Sequence, residues 1–590
     1  MRGMAQEYTI AACATKSMMR HPVPMPETVA CDVLVVGSGA GGLTAAFTAA
    51  DAGLDALVVE KAPVIGGTTA LSEGMIWIPC NGAGRRAGVT DSREAALEYL
   101  ASAAGEYFVA PRAARFVDTA AEMLDYMEAN SHARFILALG SCDYHPELPG
   151  ACLGGRAFDP DPFDGRRLGA DFRRLRRPLA TTMILGGMTI SGTELGHYFR
   201  ILKSLPATLL VARRIARYLW DRLLLYPRGT GIGNGNALVA RLLLSLGERG
   251  VPVWTDAPAV ALTVEEGAVT GARIERSGAP VEVLARRGVV LASGGFTANE
   301  EMKRTHYPHV RAGKAHTRLA PETNTGDGTR LAEAAGGRFE SRLAQPAAWA
   351  PVSLVPQRDG SLQPIPHFID RNKPGFIIAD RRGRRFVNES DSYHVIVQAM
   401  IAACREDAEV EAFVVADRRS IRRYGMGVVP PAPGRLGPHL RSGYLAEGAT
   451  IAALATKLGV DAAGLADTIQ RFNTHAARGE DPDFGRGQSA YNLSNGDPAH
   501  APNPALGPLL AGPFYAVRIV PADLGTFMGL ATDEDARVLD EGGQPIRGLY
   551  AVGNDMASVM GGAYPGAGIT IGAAMTFGYV AARHIAGRNA

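Results

Sequence analysis

Gly37, Gly39 and Gly42 stand in the spacing G-x-G-x-x-G, and a carboxylate, Glu60, follows 23 residues after the first of them. Those residue types at that spacing suit the binding of a dinucleotide. The first glycine allows a tight turn, the second lets a pyrophosphate approach the backbone, and the third lets a helix pack close to a strand. The amino end of that helix offers free N–H groups and the positive end of its dipole to the phosphates. An acid at the end of the next strand accepts hydrogen bonds from ribose hydroxyls. The elements that must hold this arrangement are readable around it. Residues 32–36 are a short apolar run that reads as a buried parallel strand, residues 43–52 read as an alanine-rich helix ended by Gly53, and residues 56–59 read as a second strand. The loop Gly37-Ser38-Gly39-Ala40-Gly41-Gly42 therefore falls in the first turn of a βαβ unit, the context in which the motif has its meaning.

The rest of the composition narrows the class. The chain has 590 residues, 46% of them hydrophobic, with 61 basic and 59 acidic side chains. That is enough chain for several domains with a large core, and too apolar and balanced for disorder. A net charge of +2 gives no reason to expect nucleic acid as a partner. Seventy glycines are about 12% of the chain against a background of about 7%, with no collagen period, so the surplus points to turns, phosphate loops and close backbone approach to a ligand. The cysteines (Cys13, Cys31, Cys80, Cys142, Cys152 and Cys404) form neither a disulfide framework nor a metal-ligand pattern, and the histidines show no ligand spacing, so no metal site is expected. Residues 1–30 lack the apolar core of a signal peptide, and no run of 18 uncharged apolar residues occurs. These features fit a reducing cytoplasm.

Along the chain, the expected class is α/β. Residues 1–30 read as a loose arm interrupted by prolines. Residues 31–300 read as the first part of the dinucleotide domain, with a helix at 237–247, strands at 251–255, 259–264 and 269–275, and a buried strand at 288–292 that runs into Gly294-Gly295. Residues 301–525 alternate helix and strand patterns as a separate α+β unit. Residues 526–590 return to the first domain with a hairpin around 540–543, a strand at 548–552 and a helix over 568–586. One stretch departs in charge: residues 171–228 hold eleven Lys/Arg against three acids. Within it Leu209, Ala212, Ala216, Leu219 and Leu223 share one helical stripe, with Arg214, Arg217 and Asp221 opposite. Two readings stand for this helix: a surface helix whose leucines pack on the core, or a helix facing a membrane surface.

After Glu60 come Lys61, then Gly66-Gly67-Thr68-Thr69 and Ser72-Glu73-Gly74. With these segments the sequence resembles the FAD-dependent succinate dehydrogenase/fumarate reductase flavoprotein superfamily. Ala292-Ser293-Gly294-Gly295-Phe296 and Gly548-Leu549-Tyr550-Ala551-Val552-Gly553-Asn554 are similar to that superfamily's second and third FAD segments. The resemblance implies a Rossmann-like FAD-binding domain built from discontinuous segments, with an inserted α+β substrate and catalytic domain. It implies FAD contacts from Gly37, Ser38, Gly39, Ala40, Gly41, Gly42, Glu60, Lys61, Gly66, Gly67, Thr68, Thr69, Ser72 and Gly74. Further contacts are implied from Ala292, Ser293, Gly294, Gly553, Asn554, Gly568 and Ile569. Covalent members carry the flavin on a histidine. None lies between Glu60 and Arg85, so the FAD is expected to be non-covalent.

The loop Gly561-Gly562-Ala563-Tyr564-Pro565-Gly566-Ala567-Gly568 resembles the Y-P-G-x-G loop of the 3-ketosteroid Δ1-dehydrogenase family, and further matches occur at 143–150 and 385–393. This resemblance implies an FAD-dependent oxidoreductase that desaturates a 3-ketosteroid, or a related apolar cyclic ketone, at C1–C2. Tyr564 and the backbone N–H of Gly568 would hold the ketone oxygen. Tyr393 would be the general base at C2, its pKa lowered by another tyrosine's hydrogen bond or by a local positive potential. Tyr144 would assist. The chain departs from the family pattern twice, with Tyr144-His145 where two tyrosines are frequent and with Glu73 where Ser-Gly-Gly is usual. The alternatives are a fumarate-reductase-like enzyme reducing an activated alkene acid, or desaturation at another ring position. The segment 523–530 lacks the histidine that fumarate-reducing members place nearby. A quinone is a plausible electron acceptor, and the basic amphipathic stretch would suit a peripheral membrane location.

Overall fold

The computed structural model describes residues 27–189 and 204–587. Most of the expected N-terminal arm and the middle of the basic stretch lie outside the described residues. The first strand, β1 (Glu27–Val36), is followed by helix α1 (Ala40–Asp51) and strand β2 (Ala56–Val59). Side chains of Val33, Leu34, Val35 and Val36 are buried, as are all four of β2. A strand covered on both faces needs a continuous apolar run rather than an alternating one, and that is what these residues supply. β1 reaches back to Glu27, earlier than its apolar run, because residues 27–31 continue the ladder against residues 281–285. α1 begins at Ala40 rather than at residue 43, since Gly41 and Gly42 themselves form its first turn.

β1 lies between β2 and the strand Ala279–Leu291, parallel to both, and Ala279–Leu291 is in turn parallel to Pro545–Ala551. Val36 pairs with Leu291, and Leu291 with Ala551. Three segments far apart in sequence therefore end at one sheet edge, and the glycine loops that follow them (Gly37, Gly294 and Gly553) meet there. In parallel sheets ligands bind beyond this carboxyl edge. α1 packs against the last helix, Ile569–Ile585, through glycines: a Cβ on Gly578 would come 2.4 Å from the Gly41 carbonyl oxygen.

A second sheet runs in the order Leu362–Pro366, Ala347–Pro356, Phe514–Thr526, Ala412–Asp417, Phe376–Ala379, and is mostly antiparallel. Behind it a buried ion-pair network fixes the segment that precedes Tyr393. Arg385 forms a two-bonded pair with Glu389 (both 2.7 Å) and a second with Asp481 (both 2.8 Å), and Arg486 reaches Glu389 at 3.1 Å and the Ser390 hydroxyl at 3.0 Å. Breaking such a network by removing one partner typically costs about 3–5 kcal/mol, because a buried charge is left uncompensated.

The helix Leu205–Leu223 corrects the first reading of the basic stretch. Its leucine stripe does not pack on the core: Leu209, Leu219 and Leu223 are 60%, 59% and 70% exposed, whereas Ala207, Val211 and Asp221 are buried. The polar side faces inward because it finds partners there. Asp221 accepts from Arg166 and from the amide and hydroxyl of Thr230, and Arg217 pairs with Asp164.

Gly42 gives the sharpest test of this packing. A Cβ there would lie 2.2 Å from the Gly37 carbonyl oxygen and 3.1 Å from the Ala292 Cβ. Overpacking of this kind costs about 1–3 kcal/mol and pushes α1 off the sheet. Gly42→Val should yield protein that purifies without bound dinucleotide; a normal cofactor-to-protein absorbance ratio would contradict the packing account.

Candidate active site

One cleft of about 700 Å³ runs from the carboxyl edge of the first sheet to the second sheet. At its sheet end the residues fit a dinucleotide. Gly37 (φ +115°) makes the turn, with no room for a Cβ against the Ala292 carbonyl. A Cβ on Gly39 would meet nothing closer than 3.7 Å, so it would project into the cleft where a pyrophosphate must pass. The Ala40 amide is held by Thr69 Oγ1 at 3.0 Å. Among the described residues the Gly41 and Gly42 amides have no protein acceptor, so the helix end keeps donors for an anion. Glu60 accepts from the Ser38 amide (3.1 Å) and hydroxyl (2.5 Å) and from the Ala62 amide (2.8 Å). Its carboxylate is fixed at the cleft wall with lone pairs left for ribose hydroxyls.

Most residues expected at the cofactor line this cleft: Ser38, Gly39, Ala40, Gly41, Gly42, Glu60, Gly67, Thr68, Thr69, Ser72, Gly74, Ala292, Ser293, Gly294, Gly553, Asn554 and Gly568. Four do not. Gly37 forms the turn beneath it, and Gly66 donates its amide to the Ser38 hydroxyl at 2.9 Å. Lys61 turns away to Asp327 (2.8 Å) and Thr325 (2.6 Å), and Ile569 is buried at the start of the last helix. Asp555, given no role from sequence, ties the second and third glycine segments together. It is buried and accepts from the Ser293 amide (2.5 Å), the Ser293 hydroxyl (3.0 Å) and the Gly295 amide (3.0 Å). Its place directly after Asn554 was the available signal.

The other end of the cleft brings Tyr144, Tyr393 and Tyr564 together. The Tyr144 hydroxyl donates to the Tyr393 hydroxyl at 3.1 Å. The rings of Tyr144 and Tyr564 are stacked 5.6 Å apart, and Tyr393 meets Tyr564 edge-on at 5.2 Å. Each comes from a different scaffold. Tyr144 follows Asp143, which is held by Trp77 Nε1 (2.8 Å), the Cys152 amide (2.9 Å) and Arg156 (2.7 Å). Its amide donates to the Pro565 carbonyl at 2.8 Å, so the Tyr144 and Tyr564 loops are directly joined. Tyr393 opens the helix Tyr393–Ala403, whose N-cap is Ser392. Gly568 (φ +89°) caps the last helix, and a Cβ there would fall 2.5 Å from the Met75 carbonyl carbon. Its carbonyl accepts from Trp77 and Gly572, while its amide at the cleft has no protein acceptor among the described residues.

Tyr491 completes the cluster, 4.9 Å from the Tyr144 ring, and no motif announced it. Burial raises the pKa of all four phenols. Tyr144 and Tyr393 go well above the usual value, the neighbouring phenols adding to the effect, and Tyr491 is pushed up to about 12. Glu73 also faces the cleft. Its side chain is exposed to the cleft, and partial withdrawal from bulk solvent raises its carboxyl, with the charge of Asp159, another cleft-lining acid, contributing. No Lys, Arg or His lines the cleft among the described residues.

Residues 32–571 match the family model described as an FAD binding domain. The chain is 42% identical to a 4-oxocyclohex-2-ene-1-carboxylate 5-dehydrogenase of Sinomonas cyclohexanicum, over 96% of each chain. It is 40% identical to a 3-oxosteroid 1-dehydrogenase of Mycobacterium tuberculosis, over 94% of this chain and 98% of that one. Among solved structures it is similar to the 3-ketosteroid Δ1-dehydrogenase of Sterolibacterium denitrificans in complex with 1,4-androstadiene-3,17-dione. That match has a TM-score of 0.87 at 38% identity and covers 95% of this chain and 99% of that one. The glycine cradle, the tyrosine cluster and these full-length likenesses agree: the chain belongs to the FAD-binding flavoprotein family, among the oxidoreductases that include the 3-oxosteroid 1-dehydrogenases.

Proposed function

We propose that this protein desaturates a neutral ring ketone, of the 3-ketosteroid class, at the C1–C2 bond. The observation that carries this reading is a cleft lined by four tyrosines and by no basic side chain among the described residues. An uncharged, apolar substrate needs ring faces to pack on and a polar tip for its one carbonyl. FAD, held non-covalently by the glycine cradle, supplies the hydride acceptor for the β carbon. Tyr564 and the Gly568 amide donate to the ketone oxygen and stabilise the enolate that forms. Tyr393 takes the proton from the α carbon, with Tyr144 donating to its oxygen.

The same lining weighs against a carboxylated substrate. A dicarboxylate or an activated alkene acid would need cations. A ring ketone bearing a carboxylate would instead meet Glu73 and Asp159. Desolvation at the cleft wall raises the Glu73 carboxyl, so its repulsion of a carboxylate should weaken as the pH falls and it takes up a proton.

Anaerobic flavin bleaching against a panel of ketones tests this reading. A 3-ketosteroid should bleach the enzyme, and a 4-oxocyclohexane carboxylate should do so poorly unless Glu73 is changed to Gln. Tyr393→Phe should keep its flavin and lose at least about 10² in rate, and Tyr564→Phe about 10²–10³. Bleaching by the carboxylated ketone alone, or near-normal turnover by Tyr393→Phe, would contradict it.

A membrane seat goes with this function. The outward leucines of Leu205–Leu223, together with exposed Trp220, Leu224 and Leu225, form an apolar ridge flanked by Arg213 and Arg222. That composition suits insertion at an anionic lipid surface, close to apolar steroids and to a lipid quinone as oxidant. The protein should sediment with anionic vesicles. The double variant Leu219→Glu/Leu223→Glu should remain in the supernatant while keeping steroid-dependent bleaching. Wild-type protein that ignores the vesicles would overturn the membrane assignment.

A further inference from the structure

Phe368 is the ring closest to Tyr393 among the described residues. The two centroids lie 4.7 Å apart, against 5.2 Å for Tyr564 and 5.6 Å for Tyr144. Phe368 and Ile369 also line the cleft, as does Pro366. They belong to the short connection between the strand Leu362–Pro366 and the turn Asp370–Asn372. Connections are the more mobile parts of most folds, whereas a base that must meet one carbon atom needs a fixed wall. Something has to hold this connection in place.

A chain of buried polar side chains does so. His367 extends the strand by donating its amide to the Pro351 carbonyl at 3.0 Å. Successive strand residues point to opposite faces, so Pro366 and Phe368 line the cleft while His367 turns inward and is fully buried. There His367 Nδ1 lies 2.7 Å from Asp370 Oδ2, and Nε2 lies 2.7 Å from Ser353 Oγ. Ser353 Oγ is 2.8 Å from the Tyr444 hydroxyl, which accepts from the Val428 amide at 3.2 Å. Asp370 also accepts from the amides of Gly427 (2.8 Å) and Arg371 (3.0 Å). One order satisfies every donor: the Tyr444 hydroxyl donates to Ser353, the Ser353 hydroxyl to His367 Nε2, and His367 Nδ1–H to Asp370.

Serine, histidine and aspartate in this order are the parts of a nucleophilic triad. Here Ser353 and His367 are 1% and 0% exposed and neither lines the cleft, so the hydroxyl meets no substrate. What the chain does is brace a wall. The His367–Asp370 bond joins residues three apart, and the two between its ends are Phe368 and Ile369. It closes the connection at its base, with those two side chains at the cleft. Two further bonds stiffen the same clip: Arg371 Nε donates to the His367 carbonyl at 2.9 Å, and Asn372 Nδ2 to the Phe368 carbonyl at 3.0 Å. Ser353, on the strand Ala347–Pro356, anchors the clip to the second sheet.

We propose that His367 is a positioning residue of the reaction. The Asp370–His367–Ser353–Tyr444 chain fixes the Phe368–Ile369 wall. That wall keeps the Tyr393 ring turned with its hydroxyl on Tyr144, and it sets the width of cleft left for the ring system of the ketone. A fused-ring ketone packs against this wall and depends on its position. A monocyclic ketone reaches less of it and depends on it less.

This inference rests on the ring-ketone desaturation proposed above, and two readouts keep the failures apart. The first needs no turnover. In protein labelled with fluorophenylalanine, the fluorine resonance of Phe368 is the one lost in Phe368→Leu. It should be a single narrow line in wild type and should shift or broaden in Ser353→Ala and His367→Leu, and less in Tyr444→Phe. The second readout is anaerobic bleaching by a 3-ketosteroid and by a neutral alkylcyclohexanone. Ser353→Ala and His367→Leu should retain flavin, lower the limiting rate with steroid by about tenfold or more, and shrink the preference for steroid over the monocycle. His367→Gln, which keeps a donor and an acceptor, should recover part of both. Ser353→Ala and Tyr444→Phe each delete one buried oxygen, so they remain informative if His367→Leu fails to fold. An unmoved Phe368 resonance, or variants that lose thermal stability while keeping rate and preference, would overturn the role of His367. Absence of steroid-dependent bleaching in wild type would overturn the functional reading instead.

Discussion

The hydroxyls of Tyr144 and Tyr393 meet at 3.1 Å across 249 residues of sequence, at the wall of the cleft. Much of the surrounding structure can be understood as holding that contact. A phenol pair in solution would exchange partners with water at little cost. Tyr393 is buried, where a hydroxyl left without a partner costs about 1–3 kcal/mol. The supports on each side are correspondingly rigid. Asp143 and Arg156 hold the Tyr144 loop, the Arg385–Glu389–Asp481–Arg486 network holds the approach to Tyr393, and the Tyr99 hydroxyl grips the Pro565 carbonyl at 2.6 Å beside Tyr564.

The cofactor side follows the opposite rule, in that side chains are absent where backbone must come close. Gly37, Gly39 and Gly42 leave the sheet edge bare, and Gly568 lets the last helix start against Met75 and Ile76. One residue type thus serves both ends of the cleft. At one it leaves the backbone bare at the sheet edge, and at the other, under the proposed function, it turns a backbone amide toward the ketone. Asp555, bound to Ser293 and Gly295, couples the two glycine segments.

Much of this was legible in sequence because it is local. The βαβ unit shows as apolar runs around a glycine loop, and Tyr564, Gly568 and Tyr393 sit in recognisable segments. The limits came where local pattern carries no direction. The helix Leu205–Leu223 has a clear apolar stripe, but a stripe does not say on which side the core lies. Asp221 and Arg217, drawn inward by Thr230, Arg166 and Asp164, decided it. Lys61 follows Glu60 directly, and its ammonium is held by Asp327, 266 residues away, a partner that no local pattern announces. Tyr491 lies in a segment without a motif, and its ring meets that of Tyr144 only once distant parts of the chain are folded together.

Proton removal by Tyr393 is the centre of this account, and it can be observed apart from hydride transfer. Enzyme reduced beforehand with dithionite has no oxidised acceptor, so a saturated 3-ketosteroid bound to it in D₂O can only enolise and return. The account predicts deuterium incorporation at C2 by wild-type enzyme, slowed by about 10² or more in Tyr393→Phe. Equal incorporation in both proteins, or none in wild type, would contradict it.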